Sequence, residues 1–482
     1  MIGRKKKRTC RIGIFAVAHA VYWDQFPGLY ESLMHHYGEA CEKVRKNDVE
    51  LVDFGMVDSS EKAFAVAPKM LGADLDLVFC DMVTYATSSV FAPILQALGK
   101  IPVVLLALQP RRAMDYGKAC TFMQLENDSI CAVPEFTCVA QRFGKPVNDV
   151  ILGTLGDDVQ ADRQIAEWCD IAKVLRGLRG ARLGLMGRVL EAMYDMHADP
   201  TAIAATFGIH VPLIEIDDLL QSYSQVTEGE IADKIALIRA EFDMPDPKSD
   251  PVTRKLTDDD LLQAAKSAVA LDRLVERFHL DGMAYYYEGR SDSLARTVAT
   301  TLIVGNSILN AQGIPMCGEF DIKTNIAMFI MDRLDMGGSF AELHPFDFDD
   351  NVILIGHDGP HHIRIAEGKP VLRSLIKYHG KPGAGASVEF KLKEGPITML
   401  GITQTADGKF KFVIGEGYSK TGPIPPTGNT NTRGYFPPDT RSFIKRWVME
   451  GPTHHYALGI GHRAETIAHI AAILGIESVI VR

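Results

Sequence analysis

Four residues in the C-terminal half of the chain have side chains suited to holding a divalent ion: Glu319 in CGEFDIKTN, Glu342 in GGSFAELHP, His357 in IGHDG and His455 in GPTHHYALG. Each falls at the end of an apolar run or in a turn, from which a functional group can project into a cleft. Two carboxylates and two imidazoles form a mixed oxygen and nitrogen set that suits a borderline ion such as Mn²⁺ or Co²⁺ and would also take Zn²⁺. Five of the 15 histidines gather in two short clusters, GHDGPHH at 356–362 and THH at 453–455. The separations of 23, 15 and 98 residues match no compact ligand motif of the HExxH kind. Taken singly, the residues also allow a plainer reading, with Glu342 a surface acid and the GHDGPHH turn a polar hairpin whose histidines face water.

The elements around them set where such groups can stand. Up to about residue 178 the chain alternates short apolar runs, RIGIFAV (11–17), VELVDFG (49–55), DLVFCDM (76–82) and IPVVLLAL (101–108), with helix-length segments. That rhythm predicts a parallel sheet with helical crossovers. No GxGxxG follows the first run, where FAVAHAVYWDQ stands instead, so a dinucleotide fingerprint is absent. A second α/β cycle runs from ARLGLMG (181–187) through VPLIEID (211–217) and GMAYYYEG (282–289) to TLIVGNSILNAQGIP (301–315). From Gly337 short strands with Gly/Pro turns predict antiparallel structure: NVILIGHDG, HHIRIAEG, ASVEFKLKEG and PITMLGITQTADGKFKFVIGEG, then the turn-rich KTGPIPPTGNTNTRGYFPP. HRAETIAHIAAILG supplies a last helix and SVIVR a closing strand. The fold expected is two Rossmann-like α/β domains, 1–178 and 179–336, followed by a C-terminal antiparallel β-barrel domain at 337–482 with a closing helix.

Composition narrows the partners. With 482 residues, 51 Lys plus Arg and 61 Asp plus Glu, the net charge of −10 disfavours nucleic acid. The basic run Arg4–Arg8, RKKKR, reads as a solvated terminal tail. RIGIFAVAHAV is short, holds His19 and reads as a first strand, not a signal peptide. No run approaches the ~18–20 apolar residues of a membrane span. Eight scattered cysteines without a CxxC pair predict reduced thiols and a cytoplasmic protein.

The ordered set GEFDIKTNIAMFIM, DMGGSFAEL, VILIGH and GPTHHYAL resembles the metal-binding framework of the L-arabinose isomerase family, which carries GEGDWKTA, a GGTSFMED-like segment, an LGSH turn and GGAHH in that order. FMQLENDSICAVPEFTCVAQRFG and GRVLEAMYD extend the resemblance over nearly the whole chain. It implies a three-domain subunit assembled into hexamers or other multiples of trimers, with active sites at subunit boundaries. It further implies that Glu319, Glu342, His357 and His455 are Mn²⁺ ligands, with Co²⁺, Mg²⁺ or Zn²⁺ as alternatives, and that the two glutamates are the catalytic acid/base pair. His454 stays open as the ligand in place of its neighbour, and His361 and His362 are read as polar residues near the mouth.

Where the family has GSQHLYG after its first strand this chain has AHAVYWD, which puts His19 near the position of a substrate-contacting Gln. Phe320 and Ile322 replace the Gly and Trp of GEGDWKT, so the sugar need not be L-arabinose. Gln124 and His454 are further residues expected to contact substrate, and Glu288 in YYYEG and the polar loop Asn429–Arg433 (NTNTR) read equally as hydroxyl-binding or supporting groups or as a buried structural acid and an exposed turn. The activity expected is a metal-dependent aldose–ketose isomerisation of L-arabinose or a related sugar such as D-galactose or L-fucose, through a cis-enediol. Two other readings are a metal-dependent sugar epimerase and a non-catalytic sugar-binding sensor.

Overall fold

In the computed structural model, which describes residues 2–190, 193–246, 248–249, 256–290, 292–375, 385–425 and 427–482, the run RIGIFAV forms β1 (Arg11–Val17). Four further runs give β2 (Glu50–Val57), β3 (Leu77–Met82), β4 (Val103–Gln109) and β5 (Asp149–Thr154). They form an all-parallel sheet in the order β2-β1-β3-β4-β5. β3 is buried at every residue and β1 and β4 at all but one, as a parallel sheet covered by helices on both faces requires. This sheet and its helices make one structural unit, Arg8–Gly177. The strand order reverses between β1 and β3, and His19 lies just beyond the C-terminal end of β1 at that switch point.

The other unit comprises Leu178–Arg482 with Met1–Lys7. It opens with a second parallel sheet, ordered β7-β6-β8-β9, built from β6 (Leu183–Gly187), β7 (Leu213–Ile214), β8 (Gly282–Tyr286) and β9 (Met316–Cys317). The helix Asp258–Arg277 that precedes β8 starts with a capping box between Thr257 and Asp260, so two of its orphan backbone groups are satisfied at once. The helix Ile322–Arg333 after β9 is buried at every residue, polar ones included. Glu191 and Ala192 of the GRVLEAMYD segment and Pro426 of the turn-rich stretch lie outside the described residues.

The same unit ends in the barrel. Its strands are β10 (Gly337–Asp347), β11 (Val352–Gly356), β12 (Val371–Ser374), β13 (Ala386–Glu389), β14 (Gly395–Gln404), β15 (Phe410–Lys420), β16 (Thr432–Tyr435), β17 (Tyr456–Ile460) and β18 (Glu477–Val481). Six of them pair antiparallel in the order β14-β17-β10-β11-β16-β15, and β15 pairs back onto β14 to close the ring. β18 adds in parallel outside β15, while β12 and β13 form a separate two-stranded sheet. The ADGK turn between β14 and β15 is the expected hairpin, with Gly408 at φ +79°.

Three expectations are corrected here. HHIRIAEG is not a continuous strand: the N–H groups of His361 and His362 donate to the hydroxyls of Ser307 and Ser339, Ile363–Ile365 forms a 3₁₀ turn, and Ala366 makes an isolated antiparallel bridge to Leu392. His361 and His362 are not at a mouth, being 0% and 3% exposed. RKKKR is not a solvated tail: Arg4 makes two bonds of 2.9 and 2.6 Å to the carboxylate of Asp332, Lys6 pairs with Asp281 at 2.7 Å, and the Lys5 and Lys6 N–H groups donate to the Gln312 carbonyl. A buried carboxylate needs a partner, and Asp332 finds it in this strap and in the adjacent Arg333.

Candidate active site

β10 is the strand that assembles the site. It lies between β11 and β17, with Glu342 opposite Gly356 and Ala341 opposite Tyr456. His357 follows Gly356 and His455 precedes Tyr456, so the two pairings deliver one imidazole to each side of Glu342. Phe340 is on the same strand face as Glu342, and its ring centroid lies 4.4 Å from both imidazoles, whose own centroids are 5.1 Å apart. Gly356 is required by close approach: a Cβ there would stand 2.0 Å from the Asn429 carbonyl oxygen.

Glu319 arrives from the other sheet, on the turn between β9 and the helix Ile322–Arg333. Glu319 and Phe320 both take left-handed backbone, at φ +56° and +65°, which costs non-glycine residues about 1 kcal/mol or more each. Asp321 ends this strained turn as the helix N-cap, accepting from the Thr324 N–H and hydroxyl. The turn carries the Glu319 carboxylate to 3.7 Å from Nε2 of His357 and 3.8 Å from Nε2 of His455. Ligand atoms of Glu342, His357 and His455 all lie within 4.8 Å of one another, as do those of Glu319, His454 and His455. Donors held at about 2.0–2.3 Å from a shared ion are separated by roughly 3 to 4.6 Å, so this spacing admits a cation.

Protonation separates the two histidines. Nδ1 of His455 lies 3.2 Å from Oδ2 of the fully buried Asp321, which fixes the ring's proton on Nδ1 in the neutral form. Its Nε2 is buried, has no hydrogen-bond partner and faces Glu319. That is the carboxylate–histidine arrangement that orients a metal ligand. Burial works against charge on this ring, but the bond and charge of Asp321, with the charges of Glu319 and Glu342, outweigh it and raise the pKa. Asp321 responds in the opposite sense: burial pushes it up, and the His455 bond outweighs that and holds it below the usual carboxylate range. In His357 the Gly359 N–H donates to Nδ1 at 3.0 Å, which leaves the neutral ring's proton on Nε2. Coordination through that Nε2 requires the other tautomer and the loss of the Gly359 bond.

A cavity of about 290 Å³ opens beside these groups, lined by Glu319, Glu342, His357, Tyr286, Glu288 and Arg296 among others. Of the residues expected to contact substrate, Glu288 therefore stands at the cavity, where it is 3.4 Å from Arg188. The His454 ring lies against that of His455, centroids 3.8 Å apart and tilted by 43°, and its Nδ1 is 2.6 Å from Asp195. Asn429 presses its backbone on Gly356, and Arg433 is engaged within the barrel by Asp347, Asp350 and the Pro423 carbonyl. His19 and Gln124 belong to the Arg8–Gly177 unit, where His19 meets the edges of Tyr22 and Tyr85 and Gln124 lies on the helix Thr121–Glu126.

Sequence reasoning missed four supporting residues: Asp321, Phe340, Lys323 and Asp195. Lys323 is 1% exposed and its ammonium donates to the carbonyls of Asp195 and His197, which holds the Asp195 carboxylate against His454. The signal for Asp321 was present as an Asp followed three residues later by Thr324, a helix-cap pattern within GEFDIKTN. A lysine in an apolar helix and a phenylalanine in a strand carry no such mark.

Residues 337–477 match the family model of the L-arabinose isomerase C-terminal domain. L-arabinose isomerase 1 of Bacillus licheniformis is 23% identical over 473 residues, covering 93% of this chain and 92% of its own. L-arabinose isomerase of Oceanobacillus iheyensis is 22% identical over 373 residues, covering 75% of each. Sulfoquinovose isomerase of Priestia megaterium is 19% identical over 325 residues, 67% of this chain and 69% of its own. The matched domain holds Glu342, His357 and His455, and the longest of these similarities runs through both units, so the chain is similar to L-arabinose isomerases over most of its length.

Proposed function

We propose that Glu319, Glu342, His357 and His455 hold a divalent cation, Mn²⁺ in the first place and Co²⁺, Mg²⁺ or Zn²⁺ otherwise, and that the two glutamates are the acid and base of an aldose–ketose isomerase. The observation that carries this reading is His455, a buried imidazole whose proton is directed at Asp321 and whose unpartnered Nε2 faces Glu319. His455 rather than His454 is the proposed ligand, because its Nε2 is buried and without a hydrogen-bond partner and its ring belongs with both Glu319 and the Glu342–His357 pair, whereas His454 is exposed. The relatives are isomerases, and neither an epimerase nor a non-catalytic sensor is favoured by them.

Isomerisation moves a proton between C2 and C1 of the sugar and another between O2 and O1, which calls for a carboxylate on each side of the developing cis-enediol. A divalent cation bound at the cluster would supply electrophilic stabilisation of the negative charge that develops on the two oxygens. Glu319 and Glu342 line one cavity from different elements, a turn and a strand. In the forward direction one takes the C2 proton as base and returns it at C1, while the other relays the proton between the oxygens. Asp321 holds His455, and Phe340 spaces it from His357, so both imidazoles keep their distance from Glu342.

The substrate is proposed as L-arabinose or a related pentose or hexose, with Glu288 lining its cavity, His454, Asn429 and Arg433 as further contacts or supports, and, as the resemblance implies, His19 and Gln124 facing the metal site of a neighbouring subunit. A homohexamer or another multiple of trimers is the assembly the same resemblance implies, and the unpaired cysteines suit a reducing cytoplasm. Among the described residues no helix is long and apolar enough to cross a membrane. The test is incubation of the Mn²⁺-loaded protein with aldopentoses, aldohexoses and deoxyhexoses, scored for ketose. Ketose that forms with metal and stops with a chelator supports the reading; no ketose from any member refutes it.

A further inference from the structure

The cavity holds a cation that the isomerisation does not use. Arg296 lines it together with Glu319, Glu342 and His357, so the guanidinium and the proposed reaction centre share one space. Its backbone is fixed at the start of the helix Leu294–Thr300, where the Ser293 hydroxyl accepts from its N–H. The guanidinium is half-buried and gives one bond, from Nη1 to the Glu288 carbonyl at 2.7 Å. Among the described residues no carboxylate pairs with it.

A guanidinium has five N–H donors in a rigid fork, and one removed from bulk water is normally matched by an anion. The glutamates around the cavity are committed elsewhere. Glu319 and Glu342 belong to the proposed cation site, the Glu288 carboxylate is 3.4 Å from Arg188, and Asp358, which also lines the cavity, makes no ion pair with Arg296 among the described residues. Tyr286 and Tyr287 line the cavity with Arg296 and give faces suited to the C–H side of a sugar ring.

We infer that Arg296 binds an oxyanion on the substrate, so that the site takes acidic aldoses, with a carboxylate, sulfonate or phosphate remote from C1 and C2, in preference to neutral ones. This rests on the isomerase reading of the site. The fork fits each of these oxyanions with two parallel bonds, which a lysine cannot reproduce.

The test compares matched pairs on Mn²⁺-loaded protein: D-glucuronate with D-glucose, D-galacturonate with D-galactose, and glucose 6-phosphate and a 6-sulfonated glucose as the other oxyanion arms. Ketose formation and calorimetric binding are both measured, for the wild type, Arg296→Gln and Arg296→Lys. The expected result is at least one oxyanion sugar with kcat/KM about 10-fold or more above its neutral partner. Arg296→Gln should raise KM for that sugar about 10–100-fold at nearly constant kcat, and Arg296→Lys should recover part of the loss. Neutral sugars turned over in preference, with Arg296→Gln indifferent, would overturn the inference and leave the isomerase reading standing. An acidic sugar that binds through Arg296 without reacting would support the inference and count against isomerisation; no Arg296-dependent binding of any oxyanion sugar overturns the inference whatever the turnover.

Discussion

Asp321 and His455 bear different parts of one task, and substitution should separate them. Asp321→Asn keeps the helix cap's acceptor oxygen but removes the charge that fixes the His455 tautomer, so Mn²⁺ affinity measured by equilibrium titration should fall about 10–100-fold with the fold intact. His455→Ala should lose affinity further and recover in part at high Mn²⁺. His361 offers a contrast outside the site. It stacks on Phe390, neither ring nitrogen has a hydrogen-bond partner, and burial pushes its pKa down to about 3 from 6.5. A histidine with a lowered folded pKa stabilises the fold above the unfolded value and loses that contribution as pH falls from 6.5 towards 3. His361→Phe should therefore raise Tm relative to the wild type, and by more at pH 5 than at pH 8. An equal shift at both pH values would contradict this account of the ring.

At the scale of elements, the helix Ile322–Arg333 connects the site to the N-terminal strap. Its first turn carries the Asp321 cap and its last holds Asp332, which Arg4 clamps. Burial pushes the Asp332 carboxyl up, but bonds from His362 and Arg4 and the charges of Arg333 and Arg4 outweigh it and hold it far below the usual carboxylate range. A depressed folded pKa gives stability that is present above the unfolded value near 3.8 and is lost as pH falls below it. Arg4→Ala should cost about 1–3 kcal/mol at neutral pH and move acid unfolding to higher pH, both readable by circular dichroism. An unchanged acid transition would mean that the strap does not hold this helix. Nothing in RKKKR marks it as a strap, because a basic run before a strand is usually solvated; the partner that changes this, Asp332, lies 328 residues away from Arg4.

Across the whole molecule, the strand rhythm was legible because buried parallel strands are continuous apolar runs: RIGIFAV is β1 residue for residue, and SVIVR is β18 to within one residue at each end. What alternation could not carry was closure. The ring depends on β17 pairing with both β10 and β14 and on β11 pairing with β16, which are long-range registers. The four proposed ligands were legible through residue type and ordered resemblance, and the β10 register explains why three of them meet although 98 residues separate His357 from His455. His357's tautomer, the Asp321 partner and the uncommitted Arg296 are properties of three-dimensional surroundings and have no sequence signature. The measurement that bears most directly on the central claim is the initial rate of ketose formation by Glu342→Gln at saturating Mn²⁺, with the best aldose of the panel. Gln keeps an oxygen and nearly the same volume but cannot accept a proton, so the rate should fall at least ~10²-fold while the far-ultraviolet spectrum stays unchanged. Turnover at the wild-type rate would contradict the two-carboxylate mechanism.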